Sequence, residues 1–178
     1  LASVDGANTH FIVSVGDVVS DDRVQDISRI KSACDSLRNV AGKVTLRSTV
    51  LPQNLSQLHF DFYVPEFLHE KNAVDECLTP YYFVVGVRKK EKLPSFLEEW
   101  KNRSYRSFLG TPEEASYIKY LSNIWNAVRI AFVNEIGDSI GEPKTHKDIM
   151  DIERVIDFVL ERKSYMRYGR AFDGHCLP

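Results

Sequence analysis

The sequence predicts an α/β region over residues 1–108, followed by an all-α region over residues 109–178. Three observations lead to this prediction. A strand, a helix and a second strand follow one another near the start of the chain. A later strand carries three apolar residues in a row, Phe83, Val84 and Val85. A helical pattern then extends over 112–141. Alternating strands and helices favour a parallel sheet, whereas the later pattern indicates helices alone.

The chain opens with a strand–helix–strand unit. A buried strand is expected at 10–15, an amphipathic helix at 22–40 and a second strand at 43–48. Apolar residues recur at intervals of three and four across the helix, and Asp21 and Asp22 suit its N-terminus. Such a unit favours a right-handed crossover and parallel pairing of its two strands.

Two more strands and a helix complete the α/β region. We expect strands at 57–64, ended by Pro65, and at 81–87. The continuous apolar run of the second is typical of a strand covered on both faces. A helix is predicted at 93–102, with Pro94 near its first turn.

The all-α region begins with a strong helix-start signal. Thr111 is a suitable N-cap, Pro112 suits the first helical position, and Glu113-Glu114 lie beside the positive end of the helix dipole. A helix at 112–141 is therefore expected to be a central spine or to pair two copies of the chain. A second helix is predicted at 147–163.

Composition excludes several classes of function. Net charge is -2, from 23 basic and 25 acidic residues, and the basic residues are scattered, so neither nucleic acid nor an anionic membrane is an expected partner. No apolar run reaches the roughly 18 residues of a membrane helix. Three widely spaced cysteines favour a reducing cytoplasm over a disulfide scaffold. With no CxxC or HExxH motif, no metal site is expected.

Cys176 has the clearest potential for covalent chemistry. It lies in a loop that contains Gly174, and a cysteine beside His175 can have its thiolate form favoured. The alternative is an ordinary thiol. Cys34 falls on the apolar face of a predicted helix and Cys77 in a connection, so neither shares this setting.

Polar residues at two strand ends and on the long helix are further candidates. Glu66 and Thr49 each follow a strand, and ligands of open α/β sheets bind at strand ends. Lys119 and Asn123 are four residues apart, so they share one face of the helix. The alternative for all four is a solvated surface side chain or a turn cap.

Six motifs follow one another along the chain: Arg47-Ser48-Thr49-Val50-Leu51-Pro52, Pro65-Glu66-Phe67-Leu68-x-Glu70, Asn72-Ala73-Val74, Pro80-x-x-x-Val84-Val85-Gly86, Glu114-Ala115-x-x-Ile118-Lys119-Tyr120-x-x-Asn123 and Ala171-Phe172-x-Gly174-x-Cys176-Leu177-Pro178. In this order they resemble the nucleotide-sugar 6-dehydrogenases, which include UDP-glucose and GDP-mannose dehydrogenases. The resemblance implies part of a Rossmann-like parallel sheet in 1–108 and the family's helical central domain in 109–178. It also implies a homodimer formed through the long helix.

The resemblance further implies a two-step, four-electron oxidation of a sugar C6 alcohol to a carboxylate, with NAD as the cofactor. By this interpretation Cys176 adds to the aldehyde to give a thiohemiacetal, and loss of a second hydride gives a thioester. Glu66 is then the general base for hydrolysis, and Thr49 positions the water. Lys119 and Asn123 stabilise oxyanion character at C6.

Two further sets of residues match the family's binding positions. The substrate-binding set is Phe67, Leu68 and Glu70. The set on the NAD side is Gly16, Ser48 and Thr49.

The sequence departs from the family pattern in several places. The Gly-rich dinucleotide fingerprint is absent, and we expect it before residue 1, as we expect a C-terminal nucleotide-binding domain beyond Pro178. The chain is thus expected to be a piece of a longer protein. Asp17, Lys71 and Asp173 replace the family's usual Thr, Gly and Gly.

Two alternatives remain at this point. A non-catalytic remnant or dimerisation module of the same fold would tolerate these departures. A dehydrogenase of the hydroxyacid type would share the two-domain plan and need no nucleophilic cysteine.

Overall fold

The computed structural model describes residues 6–16, 18–89, 91–141, 143–159 and 169. They divide into two compact units, one up to Lys119 and one from Tyr120 onward. The strands are β1 (His10–Val13), β2 (Val18–Val19), β3 (Gln25–Asp26), β4 (Lys43–Leu46), β5 (Phe62–Tyr63), β6 (Tyr82–Val87) and β7 (Arg106–Gly110). The helices are α1 (Ser28–Ser36), α2 (Ala73–Leu78), α3 (Ser95–Arg103), α4 (Pro112–Ile140) and α5 (His146–Val159). The prediction of an α/β region followed by helices is confirmed.

The first unit contains a five-stranded sheet in the order β1-β4-β5-β6-β7. Neighbouring strands are parallel except at β5 and β6, which are antiparallel. The strand–helix–strand unit does pair its strands in parallel, with His10 opposite Lys43 and Val13 opposite Leu46. Because β6 is reversed, the carboxyl ends of β4 and β5 lie at the same edge of the sheet as the amino end of β6.

Apolar clusters cover both faces of this sheet. One contains Ile30 and Cys34 of α1 together with Val84 of β6. The other contains Leu97 of α3 together with Phe83 and Val85. Successive residues of a strand point to opposite faces, so β6 contributes to both clusters. The continuous apolar run of β6 therefore has the cause that the sequence indicated.

The structure contradicts the predicted start of the first helix. Residues 18–26 form a two-stranded antiparallel hairpin of β2 and β3, and α1 begins only at Ser28. Ser20 closes the turn, because its amide and its hydroxyl both donate to the Val24 carbonyl, at 3.0 and 2.9 Å. Arg23 adopts a left-handed φ of 62°. Val24 is exposed, so its helical spacing does not reflect burial.

Other bounds also differ from the predictions. The strand expected at 57–64 is reduced to β5, and Pro52–Gln57 form a 3₁₀ helix before it. Leu58 and Phe60 are buried although they lie outside the strand, which explains the strand-like pattern. The helix expected at 93–102 is α3, one to two residues later than predicted. The patterns in the sequence did not predict β7 or α2.

The start of α4 follows the predicted cap. The Thr111 amide donates to Glu114 Oε2 at 2.7 Å, and the Glu114 amide donates to Thr111 Oγ1 at 3.2 Å, which together form a capping box. The first turns pack closely on the sheet. A Cβ added to Gly86 would lie 2.4 Å from the Cα of Pro112, and the Ser116 hydroxyl donates to the Val50 carbonyl at 2.6 Å.

The second unit contains the rest of α4 and α5. Val133 of α4 packs with Ile152 and Ile156 of α5 in a small buried cluster. The last four residues of the helix predicted at 147–163 lie outside the described residues. No helix in the described part of the chain is long and apolar enough to cross a membrane. The boundary between regions at residues 108 and 109 remains a prediction.

Candidate active site

A partly buried ion pair lies where β4 and β5 end. Arg47 directly follows β4, and its amide donates to the Val13 carbonyl at 2.8 Å. Its side chain is 9% exposed, and its Nε donates to Glu66 Oε1 at 2.8 Å. Glu66 itself is 37% exposed. The carboxyl ends of two adjacent parallel strands thus bring a cation and a carboxylate together, at the kind of edge where α/β sheets bind ligands.

An aromatic ring forms the floor beneath this pair. The guanidinium carbon of Arg47 lies 4.5 Å from the centroid of the Trp100 ring. The indole nitrogen of Trp100 donates to the Cys77 carbonyl, and the ring also packs against Phe83. A narrow cleft of about 20 Å³, large enough for one water molecule, lies here. Its lining includes Arg47, Glu66, Leu68, Cys77, Pro80 and Trp100.

Lys119 lies beside the residue that follows Glu66. The Lys119 residue is 8% exposed, and its ammonium lies 5.3 Å from the centroid of the Phe67 ring. The Phe67 ring also makes an edge contact with Tyr82, with centroids 5.7 Å apart. The first unit therefore gathers three of the residues singled out from the sequence, namely Glu66, Phe67 and Lys119.

The loop after β4 is held by hydrogen bonds to four other parts of the first unit. The Ser48 hydroxyl accepts the Val15 amide at 2.8 Å, which ties this loop to the loop after β1. The amide of Val50 donates to the Tyr63 hydroxyl at 3.3 Å, and its carbonyl accepts the Ser116 hydroxyl. Thr49, which is half-buried, thus lies between fixed neighbours.

Gln25 completes this set of contacts. Its side-chain amide donates to the Thr49 carbonyl at 3.0 Å, and its side-chain oxygen accepts the Leu51 amide at 2.9 Å. The Gln25 residue is only 8% exposed. Gln25 falls within the helix predicted at 22–40, where it has no expected role, and no signal in the sequence indicates this contact.

The other predicted binding residues lie near the same strand ends. Gly16 follows β1, and a Cβ added there would meet no atom within 4 Å. Leu68 is half-buried in the lining of the cleft. Glu70 begins a 3₁₀ helix at Glu70–Asn72. The preceding residue, His69, is held by Glu76, which accepts both its amide and its ring nitrogen.

One further predicted catalytic residue, Asn123, belongs to the second unit. Asn123 lies one turn beyond Lys119 along α4 and is half-buried. Cys176 lies outside the described residues, as do Asp17, Asp173 and His175. The roles of Glu66, Thr49, Lys119, Asn123 and Cys176, like the binding roles, remain predictions.

The two described cysteines have different settings. Cys34 is fully buried on α1, and burial, with a smaller contribution from the Asp35 charge, raises the pKa of its thiol to about 11. Such a thiol is almost entirely protonated at neutral pH. Cys77 is half-buried in the lining of the cleft. Within the described ranges there is no group of three His, Cys, Asp or Glu residues that could hold a metal ion.

Two site residues escaped the sequence analysis. Arg47 opens one of the quoted motifs, yet nothing in that motif indicates its partner. Trp100 lies in a correctly predicted helix, but its contact with Arg47 depends on how α3 covers the sheet. The sequence did contain one signal for the Arg47–Glu66 pair: an Arg at the end of one predicted strand and an acidic residue after the next strand.

Known proteins resemble the chain over most of its length. Residues 113–178 match the model of the UDP-glucose/GDP-mannose dehydrogenase family, central domain. GDP-mannose 6-dehydrogenase of Pseudomonas aeruginosa is 29% identical over 178 residues, a match that covers 86% of this chain and 40% of the relative. UDP-glucose 6-dehydrogenase of Rickettsia felis is 30% identical over 190 residues, which covers 94% of this chain and 41% of that protein.

Solved structures of nucleotide-sugar dehydrogenases are also similar to this chain in fold. A ternary complex of GDP-mannose dehydrogenase from Pseudomonas aeruginosa matches with a TM-score of 0.66 and 28% identity, covering 95% of this chain and 44% of the other. A UDP-D-ManNAc dehydrogenase from Pyrococcus horikoshii matches with a TM-score of 0.73 over 99% of this chain and 45% of the other. Its 21% identity supports the fold alone.

The chain spans about 40% of the length of the curated relatives it matches. The resemblance drawn from the six motifs is confirmed, and so is the fold class it implied. These matches show that the chain is similar to the UDP-glucose/GDP-mannose dehydrogenase family over most of its length, and that residues 113–178 match the central domain of that family.

Proposed function

We propose that this chain is part of an NAD-dependent nucleotide-sugar 6-dehydrogenase of the UDP-glucose or GDP-mannose type. The enzyme would oxidise the sugar C6 alcohol to a carboxylate. The observation that carries the proposal is the convergence of Glu66, Phe67 and Lys119 beside one cleft. The relatives named above are dehydrogenases of such nucleotide sugars.

The described residues are suited to form one side of an NAD site. The backbone at Gly16 is open to a ligand, and the Ser48 hydroxyl, which accepts the Val15 amide, can still donate a hydrogen bond. Gly16, Ser48 and Thr49 would hold the cofactor at the strand ends. When bound, NAD accepts the hydride of each oxidation. The sequence holds no Gly-rich fingerprint to bind the pyrophosphate, so other residues must supply that contact.

The chain's own residues would carry the remaining steps. The Cys176 thiolate attacks the aldehyde carbon, and a C–S bond forms. The Lys119 ammonium would balance the negative charge on the oxygen, and the Asn123 side-chain amide would donate a hydrogen bond to it. Loss of hydride leaves a thioester. Water then attacks the thioester carbonyl while Glu66 takes its proton, the C–S bond breaks, and sulfur leaves as thiolate. Thr49 orients that water.

The nucleotide-sugar substrate would lie against Phe67 and Leu68, with Glu70 nearby in the chain. The cleft as described is too small for a sugar, so the substrate must either displace the residues that line it or bind at its mouth. We place the enzyme in the cytoplasm, because three widely spaced cysteines do not suggest a disulfide scaffold and therefore favour a reducing compartment.

An activity assay tests the proposal. NADH formation is measured with UDP-glucose or GDP-mannose, for this chain alone and for the protein translated from the complete reading frame around it. We expect two NADH per sugar from the complete protein and negligible turnover from this chain. Absence of turnover by the complete protein with either sugar would contradict the enzyme assignment. Robust turnover by the 178-residue chain would contradict the expectation that it is only a piece.

A non-catalytic dimerisation module is the second candidate, and one observation favours it. Large apolar side chains lie exposed along one face of α4 at helical spacing, and together we call them the α4 stripe: Leu121, Ile124, Trp125, Val128, Phe132, Ile136 and Ile140. Such a face is suited to a second copy of the chain. The enzyme proposal also includes this homodimer, so dimerisation alone does not separate the two candidates.

A further inference from the structure

Arg47 is a buried cation with a limited set of partners. Removing a guanidinium from water is costly unless hydrogen bonds and an opposite charge compensate. Among the described residues, one carboxylate bonds to the Arg47 side chain, that of Glu66. The face of Trp100 provides the other compensation, since a guanidinium 4.5 Å from a ring centroid gains a cation–π interaction.

The support beneath Arg47 is itself fixed. The indole nitrogen of Trp100 donates to the Cys77 carbonyl, and Phe83 packs against the ring. A planar guanidinium that lies over a fixed ring is restricted in its rotation, so its Nε–H has a preferred direction. That direction is the one occupied by Glu66 Oε1, at 2.8 Å.

Glu66 has a different balance of restraints. Its neighbour Phe67 is held by Lys119 and Tyr82, which anchors the backbone at this point. The carboxylate is 37% exposed, so burial does not select its side-chain conformation. The bond from Arg47 does select it, and it engages one of the two carboxylate oxygens. The other oxygen can then accept a proton from a water molecule.

We infer that Arg47, supported by Trp100, is the positioning residue for the Glu66 carboxylate during thioester hydrolysis. This inference rests on the proposed function. Lys can replace Arg only in part here, because an ammonium supplies the charge but lacks the planar group that directs a single N–H. Arg88 offers a matched control, since its guanidinium lies 4.6 Å from the Phe60 ring centroid but donates to the Leu55 carbonyl rather than to a carboxylate.

The test uses the protein translated from the complete reading frame, with Glu66→Gln, Arg47→Ala, Arg47→Lys and Arg88→Ala variants. We expect Glu66→Gln and Arg47→Ala to slow release of the acid, Arg47→Ala by up to about 100-fold, with KM little changed. Thioester on the protein should accumulate in both variants, as detected by intact mass. Arg47→Lys should show a smaller loss in the same step, and Arg88→Ala none.

Chemical rescue separates positioning from a general structural role. Guanidinium ion at a non-denaturing concentration should restore acid release in Arg47→Ala, whereas urea, which is neutral and similar in shape, should not. Neither additive should restore Glu66→Gln. Should Arg47→Ala fail to fold, Arg47→Lys carries the kinetic test. Trp fluorescence of the 178-residue chain checks the contact between Arg47 and Trp100 directly, because Arg47→Ala should change the Trp100 emission. The chain has two Trp residues, so the measurement is made in a Trp125→Phe background.

The outcomes are distinguishable. Slow acid release in Glu66→Gln with a normal rate in both Arg47 variants would overturn this inference and leave the proposed function standing. A normal rate in Glu66→Gln, or no turnover by the parent protein, would overturn the general-base role and this inference with it. Equal rescue by urea and guanidinium would also overturn this inference. The space left by the Arg47 side chain, rather than the loss of its charged N–H donor, would then be the cause of slow acid release.

Discussion

At the scale of single residues, the three thiols of the chain should differ in reactivity. Cys34 is buried, and its pKa of about 11 leaves about one thiol in 10⁴ ionised at neutral pH. Cys77 is half-buried in the lining of the cleft that Arg47 and Glu66 also line. Under the proposed mechanism Cys176 is an activated nucleophile.

We therefore expect iodoacetamide to alkylate Cys176 first, Cys77 more slowly and Cys34 only on unfolding. Peptide mass spectrometry over a time course near neutral pH measures the three rates. The denatured chain is the control, in which all three should react alike. Equal rates for Cys176 and Cys77 in the folded chain would favour the non-catalytic module over the enzyme.

Gly86 and Gly16 differ in the space that each would leave for a side chain. A Cβ at Gly86 would lie 2.4 Å from the Cα of Pro112, which is backbone and cannot rotate away. A Cβ at Gly16 would meet open space. Gly86→Ala should lower the free energy of unfolding by about 1–3 kcal/mol.

Gly16→Ala is the matched control, and its effect should lie within about 0.5 kcal/mol of zero. Urea denaturation followed by circular dichroism measures both variants. A Gly86→Ala protein as stable as the parent would mean that α4 does not approach β6 as closely as described here.

At the scale of elements, α5 depends on a charged cap. Asp148 accepts the amides of Lys144 and Thr145 at 3.0 and 2.9 Å, and the Thr145 hydroxyl accepts the Asp148 amide. These bonds favour the ionised form, so the pKa of Asp148 lies below its usual 3.8. A lowered pKa means that the stabilisation is fully present above the unfolded pKa, and is lost as pH falls through the folded one.

Asp148→Asn should accordingly lower the melting temperature at neutral pH by a few degrees. The difference from the parent should persist down to about pH 4 and close below it. Thermal scans by circular dichroism at a series of pH values provide the measurement. A difference that stayed constant down to pH 2 would show that the Asp148 charge is not responsible.

How far the sequence predicted each element depended on where its signal lay. The cap at Thr111 and the pattern of α4 are local, so the start of that helix was predicted correctly and its end to within one residue. The first helix was extended too far because Val24 matched the spacing, and only the pairing of β2 with β3 removes it from the core. The reversed pairing of β6 depends on contacts between distant parts of the chain, which no periodic pattern contains.

The candidate site divides in the same way. Glu66, Phe67 and Lys119 were identified because they belong to motifs of the resembling family. Arg47 with Trp100, and Gln25 with the Thr49 loop, act through tertiary contacts between separate elements. Those contacts become visible only when the sheet and α3 are assembled.

At the scale of the whole molecule, the α4 stripe is the feature most in need of a partner. Trp125 and Phe132 are 60% and 52% exposed. A surface helix of a monomer rarely presents such a continuous apolar face to water. We expect a homodimer, and Trp125→Glu with Phe132→Glu should convert it to monomers.

Light scattering coupled to size exclusion measures the change. Val74→Glu is the control, because Val74 is 73% exposed on α2 and lies outside the α4 stripe. The control should remain dimeric. A parent chain that is monomeric at high micromolar concentration would contradict the proposed homodimer.

The capping box of Thr111 and Glu114 also affects the direction in which the side chains of α4 point. Each residue turns an α-helix by about 100°, so the residue at which α4 begins sets the azimuth of every side chain after it. Inserting a single alanine between the cap and Lys119 would keep the helix intact and rotate the ammonium about a quarter-circle away from Phe67. The two reciprocal hydrogen bonds between Thr111 and Glu114 thus fix where α4 begins, and thereby the direction in which Lys119 points toward Phe67.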